Sequence, residues 1–587
     1  MTDDQYIDPT IPPDDIRALV EERVDSEDEE FGEIVGESSP AFGSLDDPRF
    51  VLSCLSNNER GDGILYAALH RGKVLCNKSK KDNPWMIWGG HHWKYDYLDE
   101  AVRAVEAVAL KYLAQSGLIS DEIAEVRQQL SDVEEQAENC RKAEDAEGQK
   151  AKQREAERLA QQINRLSSKR KSLDRRVDRL RSWPGANKCL NWASCVESPL
   201  AIKGDEIDRQ PWLLGCLNGV VDLRTGLLRP GDPEDYLVRA VSLSFPEGPE
   251  VEHYLATGEG FQAPAFERFM DEIHQSDQEI VDCIHRLLGY SITGLNTEHY
   301  LGCFIGDGAN GKGTLFELLL HILGELAWSI DPEMVMQQKN AKTSGGPDPE
   351  IISLHGRRLA IASETEENRR ISAAKVKRLT GGDTLKARAP HDKYEINFEP
   401  SHTLVLVTNH PPRGLAADFA MFRRLLYFWY PLRYVDDPEH HARKDPQNAA
   451  IFRKKDPDLP ARLRKEAPWV LAWLVRGCLL WQAAGGINPP DKLRAAAEEI
   501  RRNEDHLEQF IEAGCEHAHP EDWVMFKDFY ARFKTWYEEN VDESSRYRPS
   551  NKVLTDQLRR KGFRVPPGKE TGGQVRVYGL SLPPVWS

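Results

Sequence analysis

The sequence predicts an α/β protein assembled from several domains, and three apolar segments support that prediction. An apolar run of strand length, 299–305, leads into a glycine-rich loop and then into a helical pattern. Two further apolar runs, 357–364 and 403–408, have the length of buried strands, and each leads to a polar residue. Apolar strands that alternate with helical patterns are typical of a parallel sheet covered by helices. With 587 residues, the chain is long enough for about three or four domains.

Charge and cysteine content exclude several classes of protein. The 77 basic and 95 acidic residues give a net charge of −18, but residues 1–50 alone contain 16 acidic and 3 basic residues. The rest of the chain is therefore close to neutral, and local basic surfaces can contact nucleic acid. Ten cysteines form no Cys-x-x-Cys pair, which argues against a disulfide framework or a zinc ribbon and indicates a reducing cytoplasm. Without a signal-peptide pattern or an apolar stretch of membrane-spanning length, we expect no membrane partner.

The N-terminal part of the chain changes character near residue 49. Residues 1–48 are rich in Asp, Glu and Pro and bury too little apolar surface to fold, so they predict an acidic disordered tail. Residues 49–118 and 184–258 predict an α+β domain. Its short apolar runs predict strands at Phe50–Leu55, Gly63–Ala68 and Val74–Cys76. Asn218-Gly219, between two apolar runs, predicts a β-hairpin.

Residues 119–183 form the most clearly periodic segment. Apolar residues recur there at alternating spacings of three and four, the heptad pattern of a coiled coil, with a lapse around Glu144 and Gly148. The lapse indicates two antiparallel arms; one continuous helix that pairs with another subunit is the alternative. We expect a coiled-coil insertion that carries no chemistry, and a charged spacer without a specific partner stays open as well.

A candidate nucleotide site lies where the first apolar run ends. The loop consists of Gly306, Asp307, Gly308, Ala309, Asn310, Gly311, Lys312, Gly313 and Thr314. Strand, loop and helix together present backbone N–H groups to the phosphates of ATP, and Lys312 is placed to reach the β- and γ-phosphates. The usual motif has Ser or Thr directly after the lysine, where this chain has Gly313. We expect Thr314 either to bind Mg²⁺ or to contact the α-phosphate while water completes the metal site.

Polar residues around the later strands predict the rest of an ATPase site. Glu364 follows the second strand and is the candidate to activate the attacking water and help hold Mg²⁺; a helix-capping role is its alternative. Asn409 follows the third strand, where its amide can orient that water or form a turn before two prolines. Arg423 and Arg424 enter another apolar strand. Either arginine is a candidate to stabilise transition-state charge in a neighbouring subunit, and plain surface arginines are the alternative.

Basic residues between the second and third strands predict contacts with single-stranded DNA. Gly381-Gly382-Asp383 breaks a basic helix, and the residues that follow have the pattern of a hairpin with cations near its tip. Lys386, Arg388 and Lys393 are the candidates, because cations on a loop inside a ring suit the phosphates of a threaded strand. A solvated charged surface is the alternative.

The C-terminal part predicts a helical region over 436–518 and a small module over 519–587. In the module, an amphipathic helix, a basic helix and a glycine-containing wing follow one another, which is the order of a winged-helix domain. Arg559, Arg560 and Lys561 are its candidate contacts to DNA phosphates. A protein-binding module is the alternative.

Together, these motifs resemble superfamily 3 helicases, specifically the primase-helicases of phages, satellite phages and poxviruses. The resemblance covers about residues 259–435 and rests on the elements at 306–314, 359–364, 379–383 with Lys393, 403–409 and 422–425. The preceding domain, in particular the run from Asn218 to Gly226, looks like the domain that precedes the helicase in that family.

The resemblance implies a modified AAA+ core over 259–435, usually a hexamer that hydrolyses ATP with Mg²⁺ at subunit interfaces. It implies 3′ to 5′ movement on single-stranded DNA, with the γ-phosphate sensed by Asn409 and an arginine finger at Arg423 or Arg424. Because a short acidic segment precedes the part that resembles the family, we expect priming to come from a separate primase or polymerase.

We therefore expect an ATP-dependent replicative DNA helicase of a phage or mobile genetic element. It would act on fork or origin DNA in the cytoplasm of a bacterial host cell. Two alternatives stay open. One is an AAA+ initiator or loader that remodels origin DNA, and the other is a non-catalytic DNA-binding replication factor in which ATP only switches assembly.

Overall fold

A computed structural model describes the protein in eight segments: residues 45, 47–337, 349–363, 370–387, 395–412, 419–541, 548–566 and 574–583. Almost all of the predicted acidic tail lies outside them. The chain divides into two compact units. The first comprises residues up to 209 together with 230–239 and 391–395, and the second comprises 210–229, 240–390 and 396–587.

Helices and a small sheet form the first unit. Its helices are α1 (Pro48–Ser56), α2 (Asn58–His70), α3 (Glu100–Arg103), α4 (Glu106–Lys142), α5 (Ala146–Leu180) and α6 (Trp183–Ala193). Its strands are β1 (Val74–Asn77), β2 (Trp85–Trp88), β3 (Trp93–Tyr95) and β4 (Ala201–Ile202). They form one sheet in the order β3-β2-β1-β4, in which β1 and β4 are parallel and the other pairs are antiparallel.

Two of the strands predicted in this unit are helices in the structure. The predictions at Phe50–Leu55 and Gly63–Ala68 are wrong, because these residues lie in α1 and α2, whereas Val74–Cys76 is confirmed within β1. Both helices bury apolar side chains such as Val51 and Leu65 on the core of the unit. A short apolar run does not distinguish a buried strand from a buried helix, which explains the error.

Helices α4 and α5 form an antiparallel hairpin that includes the segment predicted as a coiled coil and begins before it, at Glu106. The turn between them spans 143–145. Ser116 donates to Asp174 at 2.6 Å, and Arg170 donates to Ser120 at 3.0 Å. The residue number falls on one helix as it rises on the other, so the segment consists of two arms and not of one continuous helix.

A buried ion pair anchors the hairpin to α2. Arg176 donates to Asp62 and to Asn58, both at 3.0 Å, and the Tyr112 hydroxyl donates to Asp62 at 3.0 Å. The side chains of Arg176 and Asp62 are 8% and 3% exposed. Burial raises the pKa of the Asp62 carboxyl, and the Arg176 charge opposes that rise. Loss of the arginine would leave the carboxyl in the interior without its charged partner.

Replacement of Arg176 by Ala is expected to destabilise the first unit by about 3–5 kcal/mol, because Asp62 stays buried without its partner. Arg175 is the neighbouring residue and is exposed, so Arg175→Ala is the matched control, with an expected change below about 0.5 kcal/mol. Urea denaturation followed by circular dichroism measures both changes. Equal stability of the two variants would contradict the anchoring role of the ion pair.

The second unit contains the long parallel sheet and most of the remaining helices. Its strands are β5 (Leu213–Cys216), β6 (Gly219–Asp222), β7 (Leu227–Arg229), β8 (Leu301–Ile305), β9 (Ala327–Ile330), β10 (Leu359–Ser363), β11 (Leu385–Ala387), β12 (Ile396–Phe398), β13 (Thr403–Thr408), β14 (Leu425–Trp429), β15 (Arg433–Val435), β16 (Phe452–Lys454), β17 (Glu516–His517), β18 (Trp523–Met525), β19 (Arg576–Tyr578) and β20 (Leu580–Ser581). Its helices are α7 (Pro249–Thr257), α8 (Pro264–Ile273), α9 (Gln278–Tyr290), α10 (Lys312–Leu323), α11 (Pro349–Ile352), α12 (Ala373–Thr380), α13 (Phe419–Phe422), α14 (Pro438–Lys444), α15 (Leu459–Lys465), α16 (Ala467–Ala483), α17 (Asp491–Glu504), α18 (His506–Gly514), α19 (Phe526–Asn540) and α20 (Asn551–Arg560).

Five parallel strands form the central sheet of this unit, in the order β14-β8-β13-β10-β9. The three strands predicted from apolar runs are confirmed as β8, β10 and β13. Every residue of β8 is buried, as are the first four of β10. Helices cover both faces of such a sheet, which is why these strands are continuously apolar and do not alternate. The predicted hairpin at Asn218-Gly219 is also confirmed, as the antiparallel pair β5 and β6.

Helices α9 and α16 approach each other closely enough for backbone contact. A Cβ atom on Gly289 would lie 2.1 Å from the carbonyl carbon of Gly477. Beside this contact, the rings of His285 and Trp473 stack with centroids 3.9 Å apart, and His285 Nε2 lies 2.7 Å from the Trp473 carbonyl oxygen. Helix α16, which lies in the region predicted as helical from residue 436 onward, therefore packs against α9, which precedes β8.

The C-terminal residues of the second unit enclose a core of their own. Phe510, Phe529, Phe533 and Leu558 from α18, α19 and α20 are buried together. Strand β18 pairs with β19, and β17 pairs with β20, both antiparallel. The predicted wing differs in its pairing, because β19 pairs with β18, a strand that precedes α19. Across the described ranges, no helix has both the length and the apolar character needed to cross a bilayer.

Candidate nucleotide site

The carboxyl ends of the parallel strands bring predicted site residues to one edge of the sheet. In the pairing of β8 with β13, Ile305 lies opposite Thr408. Gly306, the first residue of the predicted loop, directly follows β8, and Asn409 directly follows β13. Ligands of open parallel sheets bind outside the carboxyl ends of the strands. The register therefore places the start of the loop and Asn409 at the same edge of the sheet, where a ligand is expected.

The loop has the backbone conformation of a tight turn into a helix. Gly308 and Gly311 have φ values of 89° and 90°, which favour glycine. A Cβ atom on Gly311 would lie 2.7 Å from Ile273 Cγ2, so glycine is also needed there for close approach to α8. Gly313, in the first turn of α10, has no described atom within 4 Å of the position that a Cβ would take. The residue that departs from the usual motif is therefore not required to be glycine by packing.

Lys312 is the first residue of α10 and is only 4% exposed. Its ammonium group donates to the carbonyl oxygen of Gly306, at the other end of the loop. Burial lowers the pKa of Lys312 to about 8, and the nearby Asp307 carboxylate opposes that shift. Thr314 is half-buried two residues further along the same helix. A buried ammonium group at a helix N-terminus fits the charge of a polyphosphate.

Residues that follow β14 contact the loop, and these contacts were not predicted from the sequence. Asn310 Nδ2 donates to the Tyr430 carbonyl oxygen at 3.5 Å, and Tyr434 N donates to the Ala309 carbonyl oxygen at 2.7 Å. The Tyr430 hydroxyl lies 3.3 Å from His274 Nε2, and burial lowers the pKa of that histidine to about 4. Tyr430 directly follows a strand, as the predicted site residues do, and that position was the signal available in the sequence.

The structure locates Asn409 but does not describe Glu364. Asn409 is exposed at the end of β13. Strand β10 ends at Ser363, opposite Val407, one residue before Glu364. Glu364 lies outside the described residues, so its roles in water activation and Mg²⁺ binding stay predictions. Within the described segments, no group of three His, Cys, Asp or Glu side chains is arranged to hold a metal ion.

The arginine pair lies at the opposite edge of the sheet from the loop. Leu301, at the start of β8, donates its N–H to the Arg424 carbonyl at 2.7 Å. Strand β8 then runs for about 13 Å before the loop begins, at about 3.3 Å per residue. The Arg424 guanidinium donates to the Thr380 hydroxyl at 3.2 Å, whereas Arg423 is exposed. Both arginines are therefore remote from the loop of their own chain.

One of the three predicted single-strand contacts lies in a described strand. Lys386 is exposed in β11, opposite Asn397 of the antiparallel partner β12. These two strands form a hairpin that follows α12. Arg388 and Lys393 lie outside the described residues. An antiparallel pair is therefore present where a hairpin was predicted, but its second strand lies at 396–398, later than predicted. The contribution of the tip stays a prediction.

The predicted DNA contacts of the C-terminal module have different surroundings. Arg559 donates to the Val565 carbonyl oxygen at 2.7 Å, and Lys561 forms an ion pair with Asp505 at 2.6 Å. Arg560 is exposed at the end of α20. The side chains of Arg559 and Lys561 therefore contact other residues of the same unit.

Comparison with known proteins relates this chain to a family. Residues 64–275 match the family described as "D5 N terminal like". The predicted resemblance is confirmed to this extent: residues 64–275 are similar to the D5 N-terminal-like family.

Proteins with helicase names in several viruses are similar to this chain. It is 26% identical over 338 residues to "Putative helicase L207/L206" of Acanthamoeba polyphaga mimivirus, which covers 57% of this chain and 34% of that protein. It is 25% identical over 412 residues to "Putative helicase 022R" of Frog virus 3, which covers 60% and 41%. The chain therefore spans less than half the length of these relatives. Among solved structures, the apo NrS-1 C-terminal region is similar at 13% identity with a TM-score of 0.31, covering 54% of this chain and 76% of that one.

Alanine substitutions at Gly311 and Gly313 are expected to differ in their effect on ATP binding. At Gly311, the methyl group meets Ile273, and the backbone conformation costs an L-residue about 1–2 kcal/mol. We expect Gly311→Ala to weaken binding of a non-hydrolysable ATP analogue by at least about tenfold, and Gly313→Ala by less than about threefold. Isothermal titration calorimetry measures both affinities. Equal affinities would contradict the loop geometry described above.

Proposed function

We propose that this chain is the motor of an ATP-dependent DNA helicase that acts in viral or mobile-element replication. The observation that carries the proposal is the common sheet edge at which the Lys312 loop and Asn409 lie. Strand β13 separates β8 from β10, so a polar strand end lies between the loop and the strand that leads to Glu364. Groups from three chain segments can thus converge on one γ-phosphate. The helicase names of the relatives support the same function.

In this proposal, the loop and Lys312 bind the phosphates of ATP. Lys312 exchanges its contact with the Gly306 carbonyl for a β- or γ-phosphate oxygen, a short movement for a side chain already held in the loop. Thr314 and Glu364 would hold Mg²⁺, which neutralises developing charge on the phosphates. Glu364 accepts a proton from the attacking water, and the Asn409 amide orients that water.

The arginine finger would come from a neighbouring subunit. Since Arg423 and Arg424 lie at the sheet edge opposite their own loop, they suit an interface in which one subunit completes the site of the next. Such an arginine contributes about 10³–10⁵ in rate. Arg423 is exposed and the Arg424 guanidinium donates to Thr380, and either side chain remains a candidate. A closed ring, a homohexamer by resemblance, provides one such interface for each subunit.

The DNA-binding elements follow from the same arrangement. Thr380, which accepts the hydrogen bond from Arg424, is the last residue of α12. The chain continues from there into the hairpin that carries Lys386, so the arginine pair and the hairpin are linked by one short segment. Lys386, Arg388 and Lys393 would contact the threaded single strand during 3′ to 5′ translocation. A winged-helix C-terminal module would contact fork or origin DNA, and a separate primase or polymerase would supply primers.

A strand-displacement assay tests the proposal. We expect the protein to unwind a fork with a 3′ single-stranded tail in the presence of ATP and Mg²⁺, and not a duplex with a 5′ tail. Lys312→Ala removes the phosphate contact and should abolish unwinding. An initiator or loader would hydrolyse ATP without displacing the strand, and an assembly switch would bind ATP with negligible turnover. Either of these outcomes contradicts the motor assignment.

The pKa of Lys312 predicts a pH dependence of ATP binding. Burial holds this pKa at about 8 in the free protein, so the ammonium form is present below pH 8 and is lost as the pH rises through that value. Affinity for an ATP analogue should therefore fall by about tenfold between pH 7.5 and pH 9, because a neutral amine binds phosphate weakly. Lys312→Arg keeps its charge over this range and is the control. Calorimetric titrations that give both proteins the same pH profile would overturn the prediction.

A further inference from the structure

The two arms of the α4–α5 hairpin carry opposite charge. Helix α5 contains 11 basic and 5 acidic residues, a net charge of +6, whereas α4 contains 4 basic and 8 acidic residues, a net charge of −4. This contrast occurs in a chain whose net charge is −18. A positive helix in an acidic protein is a local feature that overall composition does not explain.

Five cations of α5 form one exposed surface, here called the basic face: Arg154, Arg158, Arg165, Lys169 and Arg175. At 100° per residue, they fall within about 120° of the helix circumference and extend over about 32 Å of its length. On the same count, Leu166 and Leu173 lie about 100–120° from the middle of this arc and pack into the core of the first unit. The basic face therefore lies outside that core.

The charges of the basic face are not neutralised by described parts of the protein. Several other cations of the helix are paired, for example Arg170 with Asp174 and Arg176 with Asp62. None of the five side chains of the basic face makes an ion pair or hydrogen bond with a described residue. Between positions 154 and 175, Glu157 is the acidic residue on the same side. Five cations and one anion are thus exposed along this side of the helix.

We propose that the basic face binds the sugar–phosphate backbone of duplex DNA. Proteins that hold single strands combine cations with aromatic side chains on which bases stack, but residues 113–182 contain no Phe, Tyr or Trp. The hairpin therefore offers charge alone. Duplex DNA carries one negative charge per about 1.7 Å of its axis, so a rigid row about 32 Å long meets a dense line of phosphates. The acidic α4 arm repels the same duplex, which restricts contact to the α5 side.

This surface is additional to the proposed motor function. The motor needs a single strand inside a ring, and the basic face would hold the double-stranded part of a replication substrate. Its binding to DNA requires neither ATP nor the phosphate loop. The two proposals can therefore fail independently in experiments.

A pair of triple variants tests the basic face. The first, Arg158→Gln with Arg165→Gln and Lys169→Gln, removes three of its cations. The control, Arg127→Gln with Arg141→Gln and Lys142→Gln, removes the same charge from exposed positions of α4. All six positions are exposed, so melting curves of both variants should match that of the unaltered protein.

Fluorescence anisotropy with a labelled blunt duplex, without nucleotide and at several salt concentrations, provides the measurement. The basic-face variant should bind at least about tenfold more weakly, and the slope of log affinity against log salt should fall in magnitude by about 3, at about 0.9 per lost phosphate contact. The control should keep the affinity and slope of the unaltered protein. Equal losses in both variants, no loss in either, or a loss confined to a single-stranded probe would overturn the proposal.

Discussion

The parallel register of five strands is the constraint on which the second unit depends. Thr408 of β13 and Trp429 of β14 both lie opposite Ile305 of β8, so the three strands end level with one another. Gly306, Asn409 and Tyr430 directly follow these three strands and therefore lie at the same edge of the sheet. The amino ends of the same strands lie at the other edge, together with Arg424. The parallel arrangement of the strands therefore places the site at one edge and the arginines at the other. If the arginines act on ATP at all, the geometry requires a second subunit.

Tertiary packing completes the site in ways that local sequence does not reveal. The hydroxyl of Tyr430 and the imidazole of His274 meet across 156 positions of sequence, and the Asn310 amide reaches the Tyr430 carbonyl across 120. Nothing in the sequence near the loop indicates these partners. The loop itself was predictable, because glycines at positive φ and a lysine at a helix start are local requirements. Strands β8, β10 and β13 were predictable because burial on both faces leaves a continuous apolar run. Helices α1 and α2 were not, because their apolar runs are as short as strands and carry no clear helical period.

The α4–α5 hairpin shows how one residue type serves different physical roles at adjacent positions. Arg176 is buried and joins the hairpin to α2 through Asp62, whereas Arg175 is exposed on the basic face. Heptad spacing predicted helices over this segment but did not separate structural cations from available ones, because that distinction depends on what packs against each side of the helix. The heptad pattern predicted an insertion without chemistry, and the charge distribution of the folded hairpin leads to the proposal of a DNA-binding surface.

The most direct test of the account is complementation between two inactive variants. Subunits with Lys312→Ala lack the phosphate contact but keep both arginines, and subunits with Arg423→Ala and Arg424→Ala have the reverse defect. If ATP is cleaved between neighbouring subunits, each variant alone should be inactive, and mixing them should restore part of the ATPase rate, since some interfaces regain a complete site. If the mixture stays inactive, or if the double arginine variant alone hydrolyses ATP at the unaltered rate, sharing of one site between two subunits is contradicted.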